Sequence, residues 1–375
     1  MGGRLGQRLR DLVTLSDLEA PTRFHTSHEV FADLEDACLA NPDLATFEVV
    51  GESEEGRAIA GVMMGLGPQL VTLVAGAHAD EPVGPETLRA FVLEGLAARG
   101  WGAEGGGLED VFERFTFRVI PHLNPDGEAR NRSWIGTWDA SRPAESLGHY
   151  LRGRRREPPG RDLEFGYPDL RVENEAATAF LFDGSPVALH ASLHGMGFSE
   201  GALLLIEKEW LVSDASSGLR DGFTKAARRA GLPLHDHDRG GDKGFVYAGP
   251  GFWSTPRGSA MREHFLEIGD PETAAKFRSS SMEQAATTSG GKTLSVVTEL
   301  PLFRLAPSSR PGVAESLQAF KAEMPSVLED AAEERSLQPW VARFGITCPP
   351  LEDQVRLHLG VLDHALEAVE SREKA

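Results

Sequence analysis

Leu70-Val71-Thr72-Leu73-Val74-Ala75-Gly76-Ala77-His78-Ala79-Asp80-Glu81-Pro82 is the stretch on which the reading of this chain turns. Its first six residues form an almost unbroken apolar run of strand length, the pattern of a strand covered on both faces. Behind it, Pro85 to Ala98 alternates apolar and polar residues at helical spacing. The three pieces make a β-loop-α unit. His78 and Glu81 then lie in the loop at the carboxyl end of the strand, the edge at which open α/β sheets bind ligands. A histidine and a carboxylate three residues apart in a tight turn can point at one ion, and imidazole nitrogen with carboxylate oxygen suits Zn²⁺. That spacing alone is weak in a chain with 12 histidines, so the case needs further pieces.

Working outward, Ser27 to Leu44 carries Val30, Leu34 and Ala37 at helical spacing until Asn41-Pro42-Asp43 breaks it. An extended segment, Ala45 to Val50, leads into the turn Gly51-Glu52-Ser53-Glu54-Glu55-Gly56-Arg57, and Ala58 to Met64 reads as its hairpin partner. Downstream, Phe115 to Ile120, Val187 to Leu193 and Leu294 to Val297 read as strands, with Ala176 to Phe182 as the end of a helix. Strands alternating with helices predict an α/β fold with a largely parallel sheet flanked on both faces. The basic run Arg152-Gly153-Arg154-Arg155-Arg156 reads as a solvated loop. From Gly312 onward the composition shifts to Ala, Glu and Leu at helical spacing. The expected division is an N-terminal extension (1–23), a catalytic domain (24–311) and a helical C-terminal appendage (312–375).

With 375 residues, 41% hydrophobic and 25% charged, the chain can bury a substantial core. A net charge of -19 argues against nucleic acid or anionic membrane as partners, since both require a positive surface. There is neither an apolar run of membrane-spanning length nor a signal-like segment after Met1, so a cytoplasmic location is expected. The two cysteines, Cys38 and Cys348, are far apart and read as buried apolar residues.

The second chemical piece is Leu189-His190-Ala191-Ser192-Leu193-His194-Gly195, at the end of an apolar strand. Residues 190, 192 and 194 share a face, and 194 lies nearest the carboxyl edge, which selects His194 as a third ligand. His190 is expected to be a core histidine or to orient a ligand. In the third piece, Leu294 to Pro301, Glu299 ends another β-rich run. A carboxylate beside an activated water can accept its proton and pass it to a leaving amine.

Taken in order, Ser27-His28-Glu29, Glu52-Ser53-Glu54-Glu55-Gly56-Arg57, His78-Ala79-Asp80-Glu81, Asn124-Pro125-Asp126-Gly127, His194 and Thr298-Glu299 resemble the zinc carboxypeptidase family over residues 24 to 305. The resemblance implies a mixed, mostly parallel eight-stranded twisted sheet with helices on both faces. It implies one Zn²⁺ held by His78, Glu81 and His194, with Glu299 as general base. It further implies an oxyanion-stabilising arginine after the Asn-Pro-Asp-Gly turn, with Arg130 first and Arg132 second among the candidates, the latter also placed to bind substrate. The implied substrate is a peptide or peptide-like small molecule.

Two departures from the family pattern stand out. Where relatives carry Asp-Leu-Asn-Arg-Asn-Phe-Pro, whose Asn-Arg pair grips a terminal carboxylate, this chain has Asp162-Leu163-Glu164-Phe165-Gly166-Tyr167-Pro168. Glu164 is therefore expected to line the substrate pocket and to favour a cationic or amidated end. The tyrosine that many relatives carry before the catalytic glutamate is missing from Ser279 to Lys292, and only Tyr247 sits on a glycine-rich loop that could substitute. Competing readings are an N-acyl amino acid deacylase of the aspartoacylase or succinylglutamate desuccinylase kind, and a non-catalytic binding protein on the same fold.

Overall fold

The computed structural model describes residues 21–97 and 109–373; most of the expected N-terminal extension lies outside them. Eight strands form one mixed sheet: β1 (Ala45–Glu52), β2 (Ala58–Met64), β3 (Gln69–Ala75), β4 (Phe115–Ile120), β5 (Val187–Ser199), β6 (Leu203–Ile206), β7 (Phe252–Ser254) and β8 (Leu294–Arg304). Their order is β1-β2-β4-β3-β5-β8-β6-β7. The centre, β4-β3-β5-β8, is parallel. The β1-β2 hairpin joins it antiparallel through β4, and β6 joins antiparallel through β8. The mixed, eight-stranded sheet implied by the resemblance is the observed one.

Helices cover both faces: α1 (Ser27–Ala40), α2 (Val83–Ala97), α3 (Pro125–Ile135), α4 (Pro143–Gly153), α5 (Val172–Leu181), α6 (Ser217–Arg229), α7 (Ser281–Ser289), α8 (Glu315–Ala332) and α9 (Leu351–Glu373). Thr26 begins α1 with a capping box, its hydroxyl accepting from Glu29 N at 3.2 Å. Asn124 caps α3 by accepting from Gly127 N at 2.8 Å, with Pro125 at the first turn. Asp126 of the same turn is buried and accepts from Ser53 Oγ at 2.6 Å, Glu55 N at 3.0 Å and Arg57 at 2.7 Å. Two motifs far apart in the chain are thus one hydrogen-bonded unit. A Cβ at Gly127 would come within 2.5 Å of Ala79 Cβ, so glycine there lets α3 seat directly against the His78–Glu81 loop.

Two expectations need correction. Both β5 and β8 run five or more residues past the segments read as strands, so His194 and Glu299 are interior to long strands rather than at their ends. The cause is continued pairing: β3 stops at Ala75, opposite Leu193, but β5 and β8 stay paired to Ser199 and Arg304, and β6 flanks β8. The residues beyond Gly312, read as an appendage, fold into helices that share the main core. Leu357, Val361, Leu362 and Ala365 of α9 are buried in the same cluster as Leu73, Leu193 and Val296 of the sheet. His358 Nδ1 meets Thr87 Oγ1 of α2 at 2.8 Å.

Candidate metal centre

Because β3 ends first, the backbone N–H of Gly195 on β5 has no strand partner on that side. The carboxylate of Glu81, on the loop leaving β3, takes it at 3.2 Å. This bond carries Glu81 to β5, where its Oε2 lies 2.9 Å from His194 Nδ1 and its Oε1 2.9 Å from His78 Nδ1. The two Nδ1 atoms are 3.0 Å apart. His78, Glu81 and His194, which the sequence singled out, therefore aim one donor atom each at a common point.

The far sides of both rings are also held. His78 Nε2 lies 3.2 Å from Asp162 Oδ2, and His194 Nε2 lies 3.1 Å from Glu164 Oε2. Carboxylates accept, so both Nε2 atoms carry protons, and with a metal bound the Nδ1 atoms would be the lone-pair donors. Two imidazole nitrogens and a carboxylate form the donor set of a catalytic zinc site. Carboxylates outnumber cations here: although burial opposes it, Glu81 and Asp162 hold His78 well above the usual imidazole range. His194, lowered by burial and by His78, is nevertheless pushed up to about 10 by Glu164 and Glu81. A cluster this avid for positive charge fits a divalent cation.

Glu299 stands beside His194 in register on β8, opposite Leu203 of β6. Burial, followed by the charge of Glu81, pushes its carboxyl up to about 8. A cation bound by His78, Glu81 and His194 would reverse much of that.

Glu164 differs from its expected place. It is 5% exposed, and both oxygens are taken by protein groups. Oε2 takes Ser192 Oγ at 3.0 Å as well as His194, while Oε1 takes the N–H of Ser281 at 3.3 Å and its hydroxyl. Ser281 Oγ also meets His190 Nε2 at 2.9 Å, and His190 Nδ1 meets Thr72 Oγ1 at 2.9 Å. Glu164 thus orients a candidate ligand from behind, and the cationic or amidated substrate end inferred from its charge loses its basis. Phe165 beside it is buried against Phe277.

Arg130 and Arg132 are also placed otherwise. Arg130 pairs with Glu55 and, at 3.3 Å, with Glu157. Arg132 grips Glu128 one helical turn back through Nε at 3.1 Å and Nη2 at 2.8 Å. From α3 it is Glu128 and Ile135, rather than either arginine, that reach the small chamber lined by His78, Glu81, Pro82 and His122. Tyr247 donates to Asp236 at 2.5 Å and packs beside Trp253 and Leu203. His235 is buried, and His235 to Asp238 are absent from the clusters of potential metal ligands among the described residues.

Reading the sequence alone missed Asp162 and Ser192, which touch candidate ligands, Ser281, which holds Glu164, and also Asp80 and Arg156. Asp80, between the two ligands of the loop, is 3% exposed and accepts from Arg156 Nε at 2.8 Å and Tyr150 Oη at 3.2 Å. The available signal was an acid inserted into the ligand loop, which demands a cation.

The mixed sheet and the His-Glu-His cluster beside the end of β3 define an α/β protein with a candidate metal centre. Residues 31–180 match the family described as zinc carboxypeptidase. Carboxypeptidase B of Astacus astacus is 28% identical over 152 residues, 40% of this chain and 47% of that protein. Zinc carboxypeptidase A 1 of Anopheles gambiae is 27% identical over 157 residues, 41% of this chain and 34% of the relative. The matched segments thus span half or less of these relatives. Among solved structures, carboxypeptidase A from Helicoverpa armigera superposes with a TM-score of 0.51 at 13% identity, covering 98% of this chain and 80% of that one. A metallo-carboxypeptidase from Burkholderia cenocepacia gives 0.50 at 14%, covering 93% and 70%. By sequence the chain is thus similar to the zinc carboxypeptidase family over residues 31–180, and by fold over most of its length. Among the described residues, no helix is long and apolar enough to cross a membrane.

Proposed function

We propose that this protein is a zinc-dependent metallopeptidase that hydrolyses an amide bond in a peptide or peptide-like substrate. The observation that carries the reading is the convergence of His78 Nδ1, Glu81 and His194 Nδ1, each imidazole backed by a carboxylate, with Glu299 alongside in register. One Zn²⁺ bound there would polarise a carbonyl and acidify a water. The protein's own part follows from the geometry. Asp162 and Glu164 fix the ring tautomers and keep both imidazoles from turning. Glu299, partly buried on β8, takes a proton from the attacking water and returns it to the departing amine.

The test is a pair of variants on the zinc-loaded protein. Glu299→Gln should retain stoichiometric zinc while peptide hydrolysis falls by about 10³-fold or more, whereas His194→Ala should lose the metal. Full turnover by Glu299→Gln would remove it as the base. Hydrolysis of acyl amino acids but not of peptides would move the protein to the deacylase class, and stoichiometric zinc without hydrolysis of either would make it a binding protein.

A further inference from the structure

Any hydrolysis at this centre develops negative charge on oxygen, and the two arginines expected to meet it are occupied by acids elsewhere. The segment Arg154-Arg155-Arg156, read from sequence as solvated, is largely exposed, yet Arg156 reaches Asp80 of the ligand loop. Arg154 is already engaged: its Nη1 donates to Tyr150 Oη at 3.1 Å and its guanidinium lies 5.1 Å from that ring's centre. Arg156 is different. It donates through Nε to buried Asp80, while its Nη1 and Nη2 have no hydrogen-bond partner among the described residues, and its side chain is 52% exposed. Asp80 lies between His78 and Glu81, so this anchor ties the guanidinium directly to the metal loop.

We propose that Arg156, oriented by Asp80, is the anion-binding residue of this site and presents its two free terminal amino groups to an oxygen anion of the substrate. The inference rests on the metallopeptidase reading. It answers what replaces the missing Asn-Arg pair and the diverted Arg130 and Arg132. A guanidinium held at Nε leaves the Nη pair as a fixed two-pronged donor, the geometry that matches a carboxylate or a developing oxyanion.

Two sources of that anion remain, a terminal carboxylate in the ground state and the oxyanion of the transition state, and they separate kinetically. The experiment compares wild type, Arg156→Gln and Arg156→Lys, all zinc-loaded with metal content verified. Binding of 3-phenylpropionate and its uncharged amide is measured by calorimetry. Hydrolysis is measured on a peptide with a free carboxyl terminus and on its amidated twin. If Arg156 binds a terminal carboxylate, Arg156→Gln raises KM for the free acid about tenfold or more with little change in kcat, and abolishes the preference for phenylpropionate over the amide. If it meets the oxyanion, kcat falls about 10²–10³-fold on both peptides while phenylpropionate still binds. In either case lysine should restore only part of the effect, because it keeps the charge but loses the fork. A protein that hydrolyses neither peptide overturns the metallopeptidase reading, and the calorimetric arm then still decides on Arg156. Retention by Arg156→Gln of wild-type acid binding, KM and kcat overturns the proposal.

Discussion

Glu164 illustrates how a residue's role depends on which way its charge points. Seen as a letter in place of an amide, it suggested a pocket that repels carboxylates; in the fold its oxygens are occupied by His194, Ser192 and Ser281. With Asp162 it forms a pair of acids, one behind each candidate imidazole ligand. We predict that Glu164→Gln and Asp162→Asn each weaken zinc binding by about 10- to 100-fold while the protein stays folded, measured by competition with a chromophoric chelator. Wild-type affinity in both would reduce these acids to packing. That His78, Glu81 and His194 converge could be anticipated without coordinates from residue type and motif order, although His194 lies within β5 and not at its end. The identity of the working arginine could not. Arg130, Arg132 and Arg156 are chemically equal until Glu55, Glu128 and Asp80 choose among them, and that choice is made across separations of up to 76 residues.

At the level of elements, the centre depends on how closely α2 approaches the sheet just after the ligand loop. Gly84 in its first turn allows this: a Cβ there would lie 2.3 Å from the Leu193 carbonyl oxygen and 3.0 Å from Ala75 Cβ. We predict that Gly84→Ala forces α2 outward and destabilises the fold by about 1–3 kcal/mol, the usual cost of overpacking, despite the better helix propensity of alanine. Zinc affinity should fall with it, because α2 follows directly on Glu81 and Pro82. Urea unfolding together with the chelator competition checks both, and unchanged stability would show that the backbone there yields freely. The strands themselves were legible where they are uniformly apolar, as in β3, and were cut short where Gly195, Gly197 and Pro301 interrupt the pattern. Pairing across β5 and β8, which no local pattern reports, carries them onward.

For the whole molecule, the helices after Gly312 matter through what they bury. The change in composition there marks a change of secondary structure, not the end of the core, and α9 inserts His358 beside Thr87 with no exposed surface. Burial pushes His358 down to about 3, and it pushes His190 and His235 down to about 4. An unfolded histidine titrates near pH 6.5, so between that pH and about 4 the unfolded chain binds up to three protons that the folded one refuses. Stability must then rise with pH across this window, by about 1.4 kcal/mol per pH unit for each histidine, and drain away as the pH falls through it. His78 and His194, raised in the fold, are protonated in both states below pH 6.5 and add no slope there, while Glu299, raised to about 8, opposes with one proton above about pH 4.5. The clean readout is therefore a difference between proteins. His358→Asn should flatten the dependence of the unfolding free energy on pH by about 1.4 kcal/mol per unit between pH 6 and 4.5, whatever it does to stability at neutral pH. Urea titrations of the metal-free protein at half-unit intervals measure both slopes; if they coincide, His358 charges freely within the fold and α9 is not sealed against the sheet as the structure has it.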